Sequence, residues 1–158
     1  MNKLITNRTK VLKLTNVLRY VCQIEKEDFD FNISIVQMQS FIRSKGAVQV
    51  GPLIQYINSY VNENGEIKMD ICLMLQCNTY IHSIEEPYKM ESVIRVPNCM
   101  YCRYIGSEDK LSFAYQKIQI EAFENDIPLK GDSYTVFVSR DDENDIITAD
   151  VFMERADS

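Results

Sequence analysis

An internal duplication constrains the fold of this 158-residue chain more than any other feature of its sequence. Residues 17–78 align with residues 97–158 at a constant offset of 80, without a gap. Eight aligned positions are identical, and the same order of structural signals in both copies gives the alignment its weight. The identical pairs are Cys22/Cys102, Gln39/Gln119, Gly51/Gly131, Ser59/Ser139, Glu63/Glu143, Asn64/Asn144, Ile67/Ile147 and Asp70/Asp150.

Each copy begins with a run rich in Val, Tyr and Ile that predicts a strand, Leu18–Ile24 in the first copy and Asn98–Ile105 in the second. A segment with apolar residues at helical spacing follows, and it predicts a helix with one buried face. Asp28 or Asp30 is available as the N-cap of the first helix, and Ser107 as that of the second. The apolar helix positions are Phe31, Ile35, Met38 and Ile42, then Leu111, Tyr115, Ile118 and Ala122.

Each predicted helix ends before a glycine that opens a second strand, Gly51–Tyr60 in the first copy and Gly131–Ser139 in the second. Clusters of Asn, Asp and Glu then predict hairpin turns. The closing strands are Ile67–Leu75 and Ile146–Glu154. A linker, in which Pro87 prevents a helix and a short strand could form at 92–95, joins the copies.

The predicted unit is therefore β-α-β-β, present twice. We predict an α+β fold of duplicated β-α-β-β units with pseudo-two-fold symmetry, antiparallel sheets, helices packed on one face and a central cleft. The chain is expected to form a single domain over residues 1–158, with repeat one at 14–78, a linker at 79–91 and repeat two at 92–158. Because equivalent positions line such a cleft twice, it is where a ligand is expected.

The composition excludes several classes of partner. The chain has 17 Lys and Arg against 23 Asp and Glu, a net charge of -6, which predicts no binding of nucleic acid. The less favoured alternative to a frayed or strand-forming N-terminus is a short nucleic-acid-binding arm with the basic residues Lys3, Arg8, Lys10, Lys13 and Arg19. No apolar stretch approaches the roughly 20 residues of a membrane helix, so we predict a cytoplasmic protein without a membrane partner.

The five cysteines are expected to be reduced and packed as small apolar groups, because no secretion signal precedes them. Cys99 and Cys102 have CxxC spacing, but residues i and i+3 of a strand point to opposite faces, which argues against a zinc site. His82 is the sole histidine and lies in the linker, which argues against a catalytic triad. No cofactor, metal ligand or catalytic residue is therefore predicted.

The second copy carries a combination of motifs that resembles one protein family. Residues 92–97 (SVIRVP) precede 101–106 (YCRYIG), Ala114-Tyr115 falls in the predicted helix, Gly131 opens the next strand, and residues 150–153 (DVFM) lie in the closing strand. In this combination the chain resembles the GyrI-like superfamily, also called the bacterial transcription activator effector-binding domain. The resemblance implies a duplicated β-α-β-β fold whose central cleft binds small, cationic or aromatic molecules.

Members of this family occur fused to helix-turn-helix domains in MerR-type and AraC-type regulators, or alone. We expect a stand-alone member, because the first repeat begins near residue 14. Two positions depart from the family pattern. Asp150 stands where the family has Glu, and Phe137 stands where it has Tyr.

Asp150 and Asp70 are the main candidates for ligand binding, because the repeat pairs them and the family pattern places an acid at this strand position. Asp150 is expected to face the cleft while Val151 and Met153 pack under the helices. A carboxylate among aromatic rings would attract an organic cation. The candidate rings belong to Phe137, Tyr56, Tyr101 and Tyr134. The simpler alternative is that the acids are solvated and the rings are core.

Three functions are open at this point. The favoured function is binding of a small organic effector, cationic or aromatic, for sensing or sequestration without catalysis. The second is a protein-interaction module that inhibits, chaperones or targets a larger partner. The third, suggested by the resemblance, is hydrolysis of strained-ring compounds with Asp150 or Glu154 as the acid.

Overall fold

A computed structural model describes residues 3–157 and places six strands and two α-helices in this part of the chain. The four strand pairs described below are antiparallel, so the predicted α+β class is confirmed. Neither α-helix among these residues is long and apolar enough to cross a bilayer. The elements are β1 (Lys3–Val21), α1 (Phe31–Ser44), β2 (Ile54–Val61), β3 (Ile67–Gln76), β4 (Tyr88–Gly106), α2 (Ser112–Glu124), β5 (Asp132–Asp141) and β6 (Ile146–Glu154).

The chain divides into two compact units. The first unit is Lys13–Ile94, and the second unit combines Met1–Leu12 with Arg95–Ser158. The division falls inside β1 and inside β4, so each of these long strands contributes residues to both units. The N-terminal residues, which the repeat alignment left outside both copies, therefore belong with the second copy.

In the first unit, β3 lies between β1 and β2, and α1 covers one face of the sheet. Ile71, Leu73 and Leu75 alternate along β3 and pack with Met38 and Ile42 of α1 in one apolar core. Because strand side chains alternate, the even-numbered residues of β3 lie on the face away from α1.

The second unit repeats this arrangement, with β6 between β4 and β5 and with α2 on one face. Ala149, Val151 and Met153 of β6 pack with Ala114 and Ile118 of α2. The prediction that Val151 and Met153 lie under a helix is thus confirmed. Asp150 lies on the opposite face of the same strand.

Several predicted elements have different ends in the structure. β1 is longer than the predicted Leu18–Ile24, and Ile24 lies outside it. The predicted short strand at 92–95 is part of one continuous strand, β4. On α1 the buried residues are Ser34, Met38 and Ile42, whereas Phe31 is exposed.

The two helices begin differently. Asp30 is the N-cap of α1, where its carboxylate accepts hydrogen bonds from the backbone amides of Asn32 and Ile33 at 2.8 and 3.2 Å. Ser107 makes no such bond, because a 3-10 turn at Glu108–Lys110 separates it from α2. The prediction of a Ser107 cap is therefore wrong.

The strand registers correct the alignment of the two copies. Asn16 and Asn98 both have left-handed backbone, with φ of 50 and 59°, and their carbonyls accept from the amides of Cys77 and Arg155. Gln49 and Leu129 form isolated bridges with those same two partners, Cys77 and Arg155. The offset is thus 82 residues from β1 to β4 and 78 residues from β3 to β6.

The offset of 80 is correct for the middle of each copy. Gly51 and Gly131 occupy matching turns, with φ of 93 and 99°, a region that residues with a Cβ rarely enter. Relative to the offset of 80, the first strand of each copy shifts by two residues in one direction and the closing strand by two residues in the other. The pairing between these two strands is therefore unchanged, and every side chain keeps its face of the sheet. Cys72 is therefore the counterpart of Asp150, and the predicted equivalence of Asp70 and Asp150 is wrong.

Candidate functional site

Asp150 is the centre of a polar group of side chains on the second unit. Asp150 stands directly opposite Arg103 of β4. The Arg103 guanidinium donates from Nε to Oδ1 at 2.7 Å and from Nη2 to Oδ2 at 2.9 Å. The Tyr101 hydroxyl donates to Oδ1 at 2.8 Å. The carboxylate, whose side chain is only 13% exposed, thus has both oxygens engaged by fixed donors.

Aromatic rings lie beside this ion pair. Tyr101 stands opposite Phe152 on β6, and their ring centroids are 5.0 Å apart. The ammonium of Lys10 lies over the Tyr101 ring, 4.9 Å from its centroid. We call these five residues, Tyr101, Arg103, Asp150, Phe152 and Lys10, the Tyr101 cluster.

Burial and the neighbouring carboxylate control the ionisation of Tyr101. Burial, and then the hydrogen bond to Asp150, raise the pKa of Tyr101 to about 12. The same carboxylate raises the pKa of Arg103 above its ordinary value, first through the hydrogen bond and then through charge. At neutral pH the phenol of Tyr101 is therefore neutral and the guanidinium of Arg103 is charged.

The first unit holds different side chains at the corresponding positions. By strand register Arg19 is the counterpart of Tyr101, and Cys72 is the counterpart of Asp150. Arg19 donates to Glu91 at 2.5 Å and lies within hydrogen-bonding reach of the Cys72 thiol. Burial raises the pKa of Cys72, and the Arg19 guanidinium offsets only part of this rise. We call Arg19, Cys72 and Glu91 the Arg19 cluster.

The predicted site residues of the second unit lie on two different faces of its sheet. Tyr101 contacts Asp150 directly, and Tyr134 stands opposite Phe152 on the same face. Phe137 stands opposite Ala149, a residue of the core under α2. The predicted placement of Phe137 beside Asp150 is therefore wrong, because paired residues of neighbouring strands share a face.

The other two predicted site residues belong to the first unit. Tyr56 stands opposite Cys72, on the face away from α1. Asp70 stands opposite Asn58 and is exposed. As Asp70 lies two residues before the counterpart of Asp150, it has no equivalent role in the first unit.

Sequence patterns missed Arg103, Phe152 and Lys10. Arg103 and Phe152 could have been found from the pairing of the closing strand with β4, which places Arg103 opposite Asp150 and Tyr101 opposite Phe152. Lys10 belongs to the N-terminal half of β1, which the repeat leaves out, and no sequence signal connects it to Tyr101.

The cysteines are free thiols, and all five are buried. Cys102 packs in the core under α2, whereas Cys99 at the other end of the CxxC spacing does not belong to that core. Burial raises the pKa of Cys99 and Cys102 to about 11, which keeps both thiols protonated at neutral pH. Within residues 3–157 no group of His, Cys, Asp and Glu has the arrangement of a metal site.

A groove of about 350 Å³ lies in the first unit, between the segment before α1 and the N-terminal half of that helix. Its walls are aromatic and apolar at Tyr20, Phe29, Ile33 and Pro87, and polar elsewhere. The groove is wide open, unlike the enclosed pockets that bury most of a ligand.

Comparison with known proteins shows similarity in fold alone. No protein-family profile and no curated protein matches the sequence. A chain in the cryo-electron-microscopy structure of the EcmrR-DNA complex in EcmrR-RPo has a similar fold, with a TM-score of 0.55 and 14% identity. The match covers 98% of this chain and 57% of that chain, so this chain spans little more than half the length of its structural neighbour. The similarity is consistent with the expected effector-binding fold.

This similarity overturns one expectation. Net charge predicted that nucleic acid is excluded as a partner, and this exclusion is wrong, because a chain of similar fold is part of a DNA complex. Net charge is a sum over the whole surface, and a sum does not prevent a chain from joining an assembly on DNA.

Proposed function

We propose that this chain is an effector-binding domain of the GyrI-like type, which binds a small organic molecule at the Tyr101 cluster without transforming it. The observation that carries the proposal is the ordered, mostly buried Asp150 carboxylate, held by three hydrogen bonds on the sheet face away from α2. A fully satisfied polar group of this kind holds its side chains in one geometry, which suits recognition.

Two further observations support a binding role. Aromatic side chains adjoin the polar group on the same face, and sites for small molecules combine apolar walls with a few placed polar groups. The fold resembles that of a chain in a DNA complex with the designation RPo, which fits a role in transcription regulation. A hydrolase is less favoured, because the Asp150 oxygens are occupied by donors and are not available as a base.

A thermal-shift screen against small aromatic compounds tests the proposal. A compound at 100 times its dissociation constant stabilises the folded chain by about 2.7 kcal/mol. Tyr101→Phe keeps the ring and removes the hydroxyl, so it should weaken the hits, whereas Tyr60→Phe, at an exposed tyrosine of the first unit, should not. A screen without hits would favour the protein-interaction alternative.

Association with DNA is a second candidate, because the similar chain belongs to a DNA complex. The N-terminal half of β1 carries Lys3, Arg8 and Lys10, which could contact phosphates. Fluorescence anisotropy of a labelled duplex tests this candidate. Salt-dependent binding that Arg8→Gln weakens would support it, and an unchanged anisotropy at low salt would contradict it.

A further inference from the structure

We infer that the Tyr101 cluster selects an aromatic ligand that carries a carboxylate, and not an organic cation. This inference rests on the proposed function and adds the chemical class of the ligand. It follows from the balance of charge around Asp150, from the hydrogen-bond donors that stay available, and from the spacing of the rings and charges along the strands.

The Asp150 carboxylate is already neutralised. Both of its oxygens accept from Arg103, and one of them also accepts from the Tyr101 hydroxyl. An organic cation would have to compete with a bidentate guanidinium at 2.7 and 2.9 Å, which is the strongest arrangement a carboxylate makes with a side chain. The attraction expected from an isolated carboxylate is therefore absent.

The donors that remain belong to cations. A guanidinium has five N–H groups, and Arg103 uses the Nε group and one Nη2 group on Asp150. Its side chain is 39% exposed, so the other edge is accessible. Lys10 forms no ion pair with any residue between 3 and 157, and it lies over the Tyr101 ring.

Two further acids, Glu154 and Asp132, lie on this face of the second unit outside the Tyr101 cluster. Glu154 lies on the same face of β6 as Asp150, and it pairs with Lys130 at 3.0 Å. The Tyr101 cluster itself holds one acidic side chain and two basic side chains. The cluster therefore favours a ligand with a negative charge.

The strand pairing also fixes a spacing. Tyr134, Phe152 and Tyr101 form one row across β5, β6 and β4, and Asp150 with Arg103 belong to the next row on that face. Rows on one face are roughly 7 Å apart, since each strand residue rises about 3.3 Å. Lys10 is an exposed side chain that covers Tyr101, so its movement toward a carboxylate would uncover the ring.

Three probes that share an indole ring and differ in charge test the inference. They are indole-3-propionate, an anion; indole-3-propionamide, a neutral match; and tryptamine, a cation. The chain contains no Trp, so indole fluorescence excited near the red edge reports the probe alone. We expect the anion to bind at least tenfold more tightly than the amide, and the cation to bind most weakly.

Variants then assign the effect to the cluster. Lys10→Gln should weaken the anion about fivefold and leave the amide unchanged, and it breaks no ion pair among residues 3–157. The double variant Arg103→Gln with Asp150→Asn keeps the pair neutral and should remove the preference for the anion. Arg140→Gln, which changes an arginine of β5 with 47% exposure, is the matched control and should change nothing.

Two results would overturn the inference. If tryptamine bound most tightly and Asp150→Asn abolished its binding, the effector-binding function would stand and the ligand class would be wrong. If none of the three probes bound while the thermal-shift screen gave other hits at the Tyr101 cluster, the class would again be wrong. Failure of the function itself would show as a screen without any hits.

Discussion

The Tyr101 cluster and the Arg19 cluster share two counterpart positions, Tyr101 with Arg19 and Asp150 with Cys72, and they differ in chemistry. The second unit places a carboxylate, Asp150, between an arginine and a phenol, with unused donors at its exposed edge. The first unit places a buried thiol, Cys72, at the same strand position and directs its arginine to a glutamate. The strand pairing is thus the same in the two units, while only the second unit holds a carboxylate between an arginine and a phenol.

Asp150→Ala should show the largest difference between the units. It leaves the guanidinium of Arg103 and the hydroxyl of Tyr101 without their acceptor, and we expect the free energy of unfolding to fall by about 2 to 3 kcal/mol. The partial exposure of Arg103 keeps this loss below that of a fully buried pair. Cys72→Ala at the counterpart position should cost only about 1 kcal/mol. Urea unfolding of both variants measures the difference, and equal losses would contradict it.

Tyr101→Phe should remove about 1 kcal/mol at neutral pH, the usual value of one hydrogen bond. The stability that the Tyr101 hydroxyl adds should decrease at high pH. The pKa of Tyr101 is about 12 when folded and about 10 when unfolded, so its contribution is complete below pH 10 and is lost as the pH rises through 12. Burial, and then the Asp150 carboxylate, raise the pKa of the Tyr101 hydroxyl, whereas Arg103 lowers it.

Unfolding measured near pH 9 and near pH 11 tests this dependence. The stability difference between wild type and Tyr101→Phe should narrow as the pH rises. Tyr60→Phe is the control, because Tyr60 is an exposed tyrosine on β2. A difference that stays constant for Tyr101→Phe would show that the phenol ionises with its ordinary pKa.

The helix starts give the smallest expected contrast. Asp30→Ala should cost about 1 kcal/mol, because the carboxylate satisfies two backbone amides of α1. Ser107→Ala should change the free energy of unfolding by less than about 0.5 kcal/mol, because its side chain makes no capping bond. Thermal unfolding of the two variants provides the comparison, and a larger loss for Ser107→Ala would be the contrary outcome.

The order of the elements was predictable from the sequence, and the residue equivalences were not. Alternating apolar residues and helical spacing predicted the strand Ile146–Glu154 and the buried Met38 and Ile118. The gapless alignment misplaced the first and the closing strand of each copy by two residues, because a shift of two leaves the alternation of a strand unchanged. The apparent match of Asp70 with Asp150 followed from that hidden shift.

Two of the five residues of the Tyr101 cluster were accessible to sequence reasoning. Asp150 and Tyr101 were predicted and lie in contact. Arg103 was missed because its role depends on the residue opposite it, and pairing between distant strands is not written in local patterns. Phe137 was misplaced because it lies three residues after Tyr134 on β5, and strand residues at an odd spacing lie on opposite faces.

Amide chemical-shift mapping with indole-3-propionate tests the central claim most directly, since that claim assigns the ligand site to the second unit alone. A ¹⁵N-labelled chain is titrated with the probe until its fluorescence signal saturates. The account predicts that the amides of Tyr101, Arg103 and Phe152 shift, while those of Arg19 and Cys72 stay in place. Shifts centred on Arg19 and Cys72, or none in either unit, would contradict it.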